Sequence, residues 1–174
     1  MPDSYFSHSY TINNIKETTV RYNTGSVYTE DSTYEYSSGK VQHTINTIDK
    51  DTGITRDLKE IYSNGNLIEL LDITYDDSQI YNYKMEKYSE IFPDVLIENK
   101  FFSEDNNGFY YLDSNADGLA EMYTQFDENH RPKTSWLDNN SDGDIDYIYH
   151  YDEFGYAIPE DHRSLWEKIF GLKY

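Results

Sequence analysis

Apolar and polar positions alternate in short runs along the first half of the chain, as at Val41, His43, Ile45 and Thr47, and again over Ile80–Met85. Alternation with a period of two puts successive side chains on opposite faces of a strand. Runs rich in Tyr, Thr, Ile and Val cover Thr18–Tyr22, Val41–Ile48, Ile54–Tyr62 and Leu67–Tyr75. Between them stand the polar clusters Asn23-Thr24-Gly25-Ser26, Ser37-Ser38-Gly39-Lys40, Lys50-Asp51-Thr52-Gly53 and Ser63-Asn64-Gly65-Asn66. Glycine supplies the positive φ that tight hairpin turns need, so the pattern predicts an antiparallel meander. Ile80–Met85 reads as a further strand. Tyr81, Met85, Tyr88 and Phe92 also fit one face of a helix that Pro93 would end.

The last segment has a different period. Leu165, Trp166, Ile169 and Phe170 share a helical face, Pro159-Glu160-Asp161 suits a helix start, and Gly171 suits its stop. The expected organisation is one mainly β domain over 1–174: a hairpin meander over 1–102, a duplicated hairpin unit over 103–158, and a C-terminal α-helix over 159–174 packed on the sheet.

Charge narrows the function classes. With 14 Lys+Arg against 33 Asp+Glu the formal net charge is −19, which disfavours gripping nucleic acid through its phosphates or docking on an anionic leaflet. A mean hydropathy of −0.86 leaves no run long and apolar enough to be a membrane-spanning helix. The 19 Tyr, 8 Phe and 2 Trp set the chain apart from acidic disordered sequences, which are poor in aromatics. Cysteine is absent, excluding disulfides and thiolate chemistry. The start, Met1-Pro2-Asp3-Ser4-Tyr5-Phe6, lacks the blocks of a signal peptide.

The most informative feature is a duplication with a 25-residue period. Asp113-Ser114-Asn115-Ala116-Asp117-Gly118-Leu119-Ala120-Glu121 aligns with Asp138-Asn139-Asn140-Ser141-Asp142-Gly143-Asp144-Ile145-Asp146. The match extends from Tyr111-Leu112 against Trp136-Leu137 to Asp127-Glu128 against Asp152-Glu153. Calcium is a hard cation that takes six to eight oxygens, and a tight loop can aim alternate side chains inward. In the first copy Asp113, Asn115 and Asp117 would supply side-chain oxygens, Leu119 its carbonyl, and Glu121 a further carboxylate. In the second copy Asp138, Asn140, Asp142, the Asp144 carbonyl and Asp146 take the same roles, with the Asp144 side chain turned outward. Asp, Asn and Gly also form turns without metal. Two copies in register, each with an acid at position nine, favour two Ca²⁺ sites. Residues 103–161 hold 15 acids and two bases, and converging carboxylates repel unless a cation neutralises them.

These loops resemble the D-x-[DN]-x-D-G-x-x-[DE] calcium loops of thrombospondin type 3 repeats, dockerins, FG-GAP repeats and EF-hands. With Tyr151-Asp152-Glu153-Phe154-Gly155 following, the unit over 111–156 is similar to tandem repeats of bacterial exported proteins. An EF-hand would need a carboxylate at position twelve, where Thr124 and Tyr149 stand, and flanking helices, where Tyr147–Tyr151 favours a strand. Upstream, Ile61–Ile68 resembles YD-type or MORN-like hairpin repeats, which implies a hairpin sheet.

With about five protein ligands per loop, water or a neighbour such as Asp127 or Asp152 completes the shell. Dissociation constants on the order of 10⁻⁵–10⁻³ M are expected, the range of extracellular modules. The expected location is therefore extracytoplasmic. Zinc-protease, nucleophile-elbow, phosphate-loop and dinucleotide motifs are missing, and His8, His43, His130, His150 and His162 show no zinc spacing. The expected function is a non-enzymatic calcium-binding module of a bacterial exported or surface system, calcium ordering a scaffold that binds a protein partner. The alternative is an acidic immunity or inhibitor protein that binds a basic partner, as a toxin neutraliser or nucleic-acid mimic.

Overall fold

The computed structural model describes residues 3–103 and 106–160, and within them the side chains of 106 and 107 are excepted. The strands are β1 (Ser4–Ile12), β2 (Ile15–Thr24), β3 (Val27–Tyr36), β4 (Lys40–Asp49), β5 (Thr55–Ser63), β6 (Asn66–Tyr75) and β7 (Ile80–Tyr88). They continue as β8 (Leu96–Ser103), β9 (Asn106–Leu112), β10 (Met122–Phe126), β11 (Pro132–Leu137), β12 (Tyr147–Tyr151) and β13 (Ala157–Pro159). All 13 form one antiparallel sheet in sequence order, an open meander. Along the backbone each strand approaches only the strands before and after it.

The glycine clusters become the expected turns. Asn64 and Gly65, with φ of 52° and 84°, make a two-residue turn whose twist matches the flanking strands. The first hairpin uses no glycine: Asn13 and Asn14 take φ of 51° and 63°, and asparagine is the non-glycine residue that best tolerates this region. Ile80–Tyr88 is strand β7, with Tyr83 paired to Ile73 on one side and Phe102 on the other. The alternative helix is not formed there.

At Pro159 and Glu160 the structure differs from the expected start of a C-terminal helix. Pro159 lies in β13 opposite Tyr149, and the Glu160 N–H donates to the Ile148 carbonyl at 2.7 Å. The strand ladder claims Pro159 and Glu160, which the sequence pattern gives to a helix start; Asp161 lies outside the described residues. Leu165, Trp166, Ile169 and Phe170 lie outside the described residues.

Little of the sheet is buried. Among the described residues Phe102 is the buried large hydrophobe, while Thr19, Thr29, Ser32, Thr124, Thr134 and Ser135 are buried polar residues. Hydroxyls pair across strands at the middle of one face: Thr19 with Ser32 at 2.8 Å, and Thr124 with Ser135 at 2.7 Å. Cross-strand ion pairs flank them, such as Arg21–Glu30 at 2.6 Å and Lys87–Glu98 at 2.6 Å. Pairs of this kind contribute about 0.2–1 kcal/mol each, so the sheet is held by many small lateral terms and its backbone ladder.

Around Phe102 the packing is tighter. Its ring lies 5.8 Å from Tyr83, 5.0 Å from Phe126 and 4.7 Å from His130, with the Lys100 ammonium 5.1 Å from its centroid. The ring reaches Phe126 across β9, and Gly108 in β9 makes this possible. A Cβ on Gly108 would stand 2.1 Å from Phe102 Cδ1 and 2.5 Å from the Phe101 carbonyl oxygen.

Candidate metal centre

The duplicated segments are the connections β9–β10 (residues 113–121) and β11–β12 (residues 138–146), so both loops sit at the same end of the sheet. Their backbones repeat: Ala116 and Gly118 take φ of 60° and 92°, Ser141 and Gly143 take 58° and 91°. So do their hydrogen bonds. Asp113 is wholly buried and accepts from the N–H groups of Asp117 at 3.2 Å and Gly118 at 2.8 Å. Asp138, also buried, accepts from Asp142 at 3.3 Å and Gly143 at 2.7 Å. The Asn115 amide oxygen accepts from the Asp117 N–H at 2.9 Å, and Asn140 from Asp142 at 3.1 Å. Asp117 and Asp142 accept from the N–H groups of Leu119 at 2.8 Å and Asp144 at 2.9 Å. The position-nine acids close the loops: Glu121 accepts from the Ser114 N–H at 2.6 Å, Asp146 from the Asn139 N–H at 2.8 Å.

The two loops also touch. The Ser141 hydroxyl lies 3.2 Å from Glu121 Oε1, and the Asp138 N–H donates to the Glu121 carbonyl at 3.0 Å. Leu119 leans over Gly143, where an added Cβ would stand 3.2 Å from its Cδ1.

Each set of expected ligands is thus gathered into one loop, but the carboxylates do not converge. Among the described residues no group of three or more His, Asp or Glu is placed to hold a metal ion. The acids point at backbone N–H groups instead. The donor set still suits a hard cation, being all oxygen. Among the described residues, none of the seven loop acids pairs with a lysine or arginine, whereas acids of the upstream meander commonly do. Asp127 and Asp152 do not complete the shells. They brace the β10–β11 and β12–β13 turns at the opposite end, Asp127 accepting from Asn129 and Arg131, Asp152 from Phe154 and Tyr156.

Burial pushes the Asp138 carboxyl up, but the N–H groups of Gly143, Asp142, Ser141 and Asn140 outweigh it and hold it below the ordinary carboxylate range. The stability this confers is present above the unfolded value near pH ~3.9 and is lost as pH falls through the lower folded value. Acid unfolding followed by circular dichroism should therefore show Asp138→Asn destabilised at neutral pH and converging on the wild type in strong acid.

A second titratable cluster lies in the meander. His43 on β4 is held by Glu60 of β5 at Nδ1, 3.1 Å away, and by Asp31 of β3 at Nε2, 3.0 Å away. Burial lowers its basicity, yet the two carboxylates prevail and raise the imidazole above its ordinary value. Stability from this bridge is complete below about pH 6.5 and is lost as pH rises through the raised folded value. An NMR titration should place the His43 midpoint above that of a model imidazole, and His43→Gln should remove this part of the stability profile.

Sequence reasoning missed a surface feature beside the loops. Phe101, Phe109, Tyr123 and Trp136 form a ladder across β8–β11, with successive centroids 5.9, 6.1 and 5.5 Å apart. Tyr123 follows the first loop and Trp136 precedes the second. The only sequence signal was the alignment of Tyr111 with Trp136; the ladder itself depends on register across four strands. No family model, curated protein or solved structure matches the chain.

Proposed function

We propose that the chain is a non-enzymatic, calcium-binding β module of a bacterial exported or surface system, in which two Ca²⁺ ions order the end of the sheet next to Tyr123 and Trp136 of the aromatic ladder. The observation that carries this reading is the pair of loops with one shared hydrogen-bond pattern and seven acids lacking a basic partner among the described residues. Asp113 and Asp138 are preset by their loop N–H groups. Asn115, Asp117 and Glu121, with Asn140, Asp142 and Asp146, would turn from backbone donors toward the ion. That exchange lowers affinity and fits binding at the millimolar calcium found outside the cytoplasm. The ladder would be the binding surface, since rigid aromatic rings offer large contact area at low entropic cost.

Calorimetric Ca²⁺ titration of the wild type beside Asp113→Ala and Asp138→Ala tests it. Two binding events, one lost in each variant, are expected; unchanged heats in both variants would refute the assignment. The same unpaired acids support a second reading, an acidic inhibitor of a basic protein. It requires tight binding of a cationic partner in chelator, weakening steeply as salt rises.

A further inference from the structure

The two edges of the sheet are unlike. β13 is three residues long, ends in Pro159 and is followed by Glu160, the features that blunt an edge against pairing. β1 is nine residues long and carries no proline and no charged Lys, Arg, Asp or Glu. Its aromatic and aliphatic side chains stand in water, Phe6 being 53% and Ile12 59% exposed. On one face Phe6, His8 and Tyr10 form a row of rings, each 5.5 Å from the next. The two-residue turn at Asn13-Asn14 makes Ile12 and Ile15 a hydrogen-bonded pair, so Tyr5, Ser7, Ser9 and Thr11 present their N–H and C=O groups outward.

We propose that β1 is a self-docking edge: two copies of this chain pair antiparallel through Ser4–Ile12, centred on His8, and fuse their sheets into one. The sequence of β1 is nearly its own mirror about His8. Antiparallel pairing sets Phe6 of one copy opposite Tyr10 of the other, Ser7 opposite Ser9, Tyr5 opposite Thr11, and His8 opposite His8. The outward-facing residues then meet one another as hydrogen-bonded pairs, and the two ring rows continue as cross-strand aromatic pairs.

Charge selects a second copy as the occupant. Residues 1–24 hold Asp3 and Glu17 against Lys16 and Arg21, so the whole net charge of −19 lies beyond them. The acidic loops flank β10, nine strand spacings or about 43 Å from β1, several times the Debye length of about 8 Å at physiological salt. Two copies joined at β1 keep their acidic ends apart, whereas a basic partner finds no net charge at this edge. This inference does not depend on calcium.

Sedimentation velocity on the full chain, from about 1 mM down to about 10 µM, should show a dimer that dissociates on dilution, because a single strand pair is a small interface. The register is read by cysteine. Residues at a non-hydrogen-bonded antiparallel pair lie about 4.5 Å apart at Cα, within disulfide range. His8→Cys should therefore form a covalent dimer on oxidation, while Ser4→Cys, facing Ile12 of the other copy, should not. Ser7→Lys with Ser9→Lys should weaken association at least tenfold with an unchanged circular dichroism spectrum. A chain monomeric throughout the range, equal cross-linking of the two cysteine variants or none in either, or undiminished association of the folded double-lysine variant would each overturn the proposal.

Discussion

Calcium at about 10 mM should raise the melting temperature by about 15 °C relative to chelator, and magnesium at the same concentration should do much less. With a dissociation constant on the order of 10⁻⁴ M, ligand at a hundred times that value stabilises by about 2.7 kcal/mol per site. Two sites give about 5 kcal/mol, and each kcal/mol moves the midpoint of a chain this size by about 2–4 °C. Magnesium is smaller, demands six near-ideal positions and sheds water reluctantly, which a flexible nine-residue loop serves poorly. The shift should fall by about half in Asp113→Ala. That variant also strands the Asp117 and Gly118 N–H groups beside a buried site, so its chelated form should itself be less stable by about 2–4 kcal/mol. Scanning calorimetry reads both quantities, and a melting temperature indifferent to calcium would remove the metal from the account.

Gly108→Ala should cost about 3 kcal/mol and lower the melting temperature by about 9 °C. The added methyl would meet the Phe102 ring, which can move, and the Phe101 carbonyl, which belongs to the neighbouring strand and cannot. Combining it with Phe102→Ala separates the two contacts. Losing the ring relieves one clash, so the double variant should be less destabilised than the sum of the singles, with the carbonyl clash left over. Additive losses, or a Gly108→Ala protein as stable as the wild type, would show that β9 is not pressed against β8 in this way.

Much of the fold was legible because hairpins are local. Glycine at positive φ between alternating runs announces a turn and the strands on either side, and the clusters at Gly25, Gly39, Gly53 and Gly65 did so. The Asn13-Asn14 turn was silent because asparagine is common in many settings, and β1 went unread with it. Over Ile80–Tyr88 the apolar spacing serves either period; pairing with β6 and β8 decides it, and no local residue reports that. Of the candidate centre, the two loops, their glycines and their shared geometry lie within nine-residue spans that sequence can specify. The contact of Ser141 with Glu121 joins the two loops and was not visible, and the rotamer that turns Glu121 back to the Ser114 N–H is not written in the spacing. The aromatic ladder is a product of register alone.

Because every strand pairs only with the two beside it, the Phe102 ring reaching over β9 excepted, this protein has the energetics of a ribbon rather than of a globule. Disturbance at one margin dies away over a few strands, so β1 can peel while β7 stays zipped. Amide exchange below the melting temperature should then trace a lengthwise profile, fast at the margins and slowest near the middle. An ion seated between β9 and β12 would tighten that quarter of the ribbon and leave the far margin as loose as before.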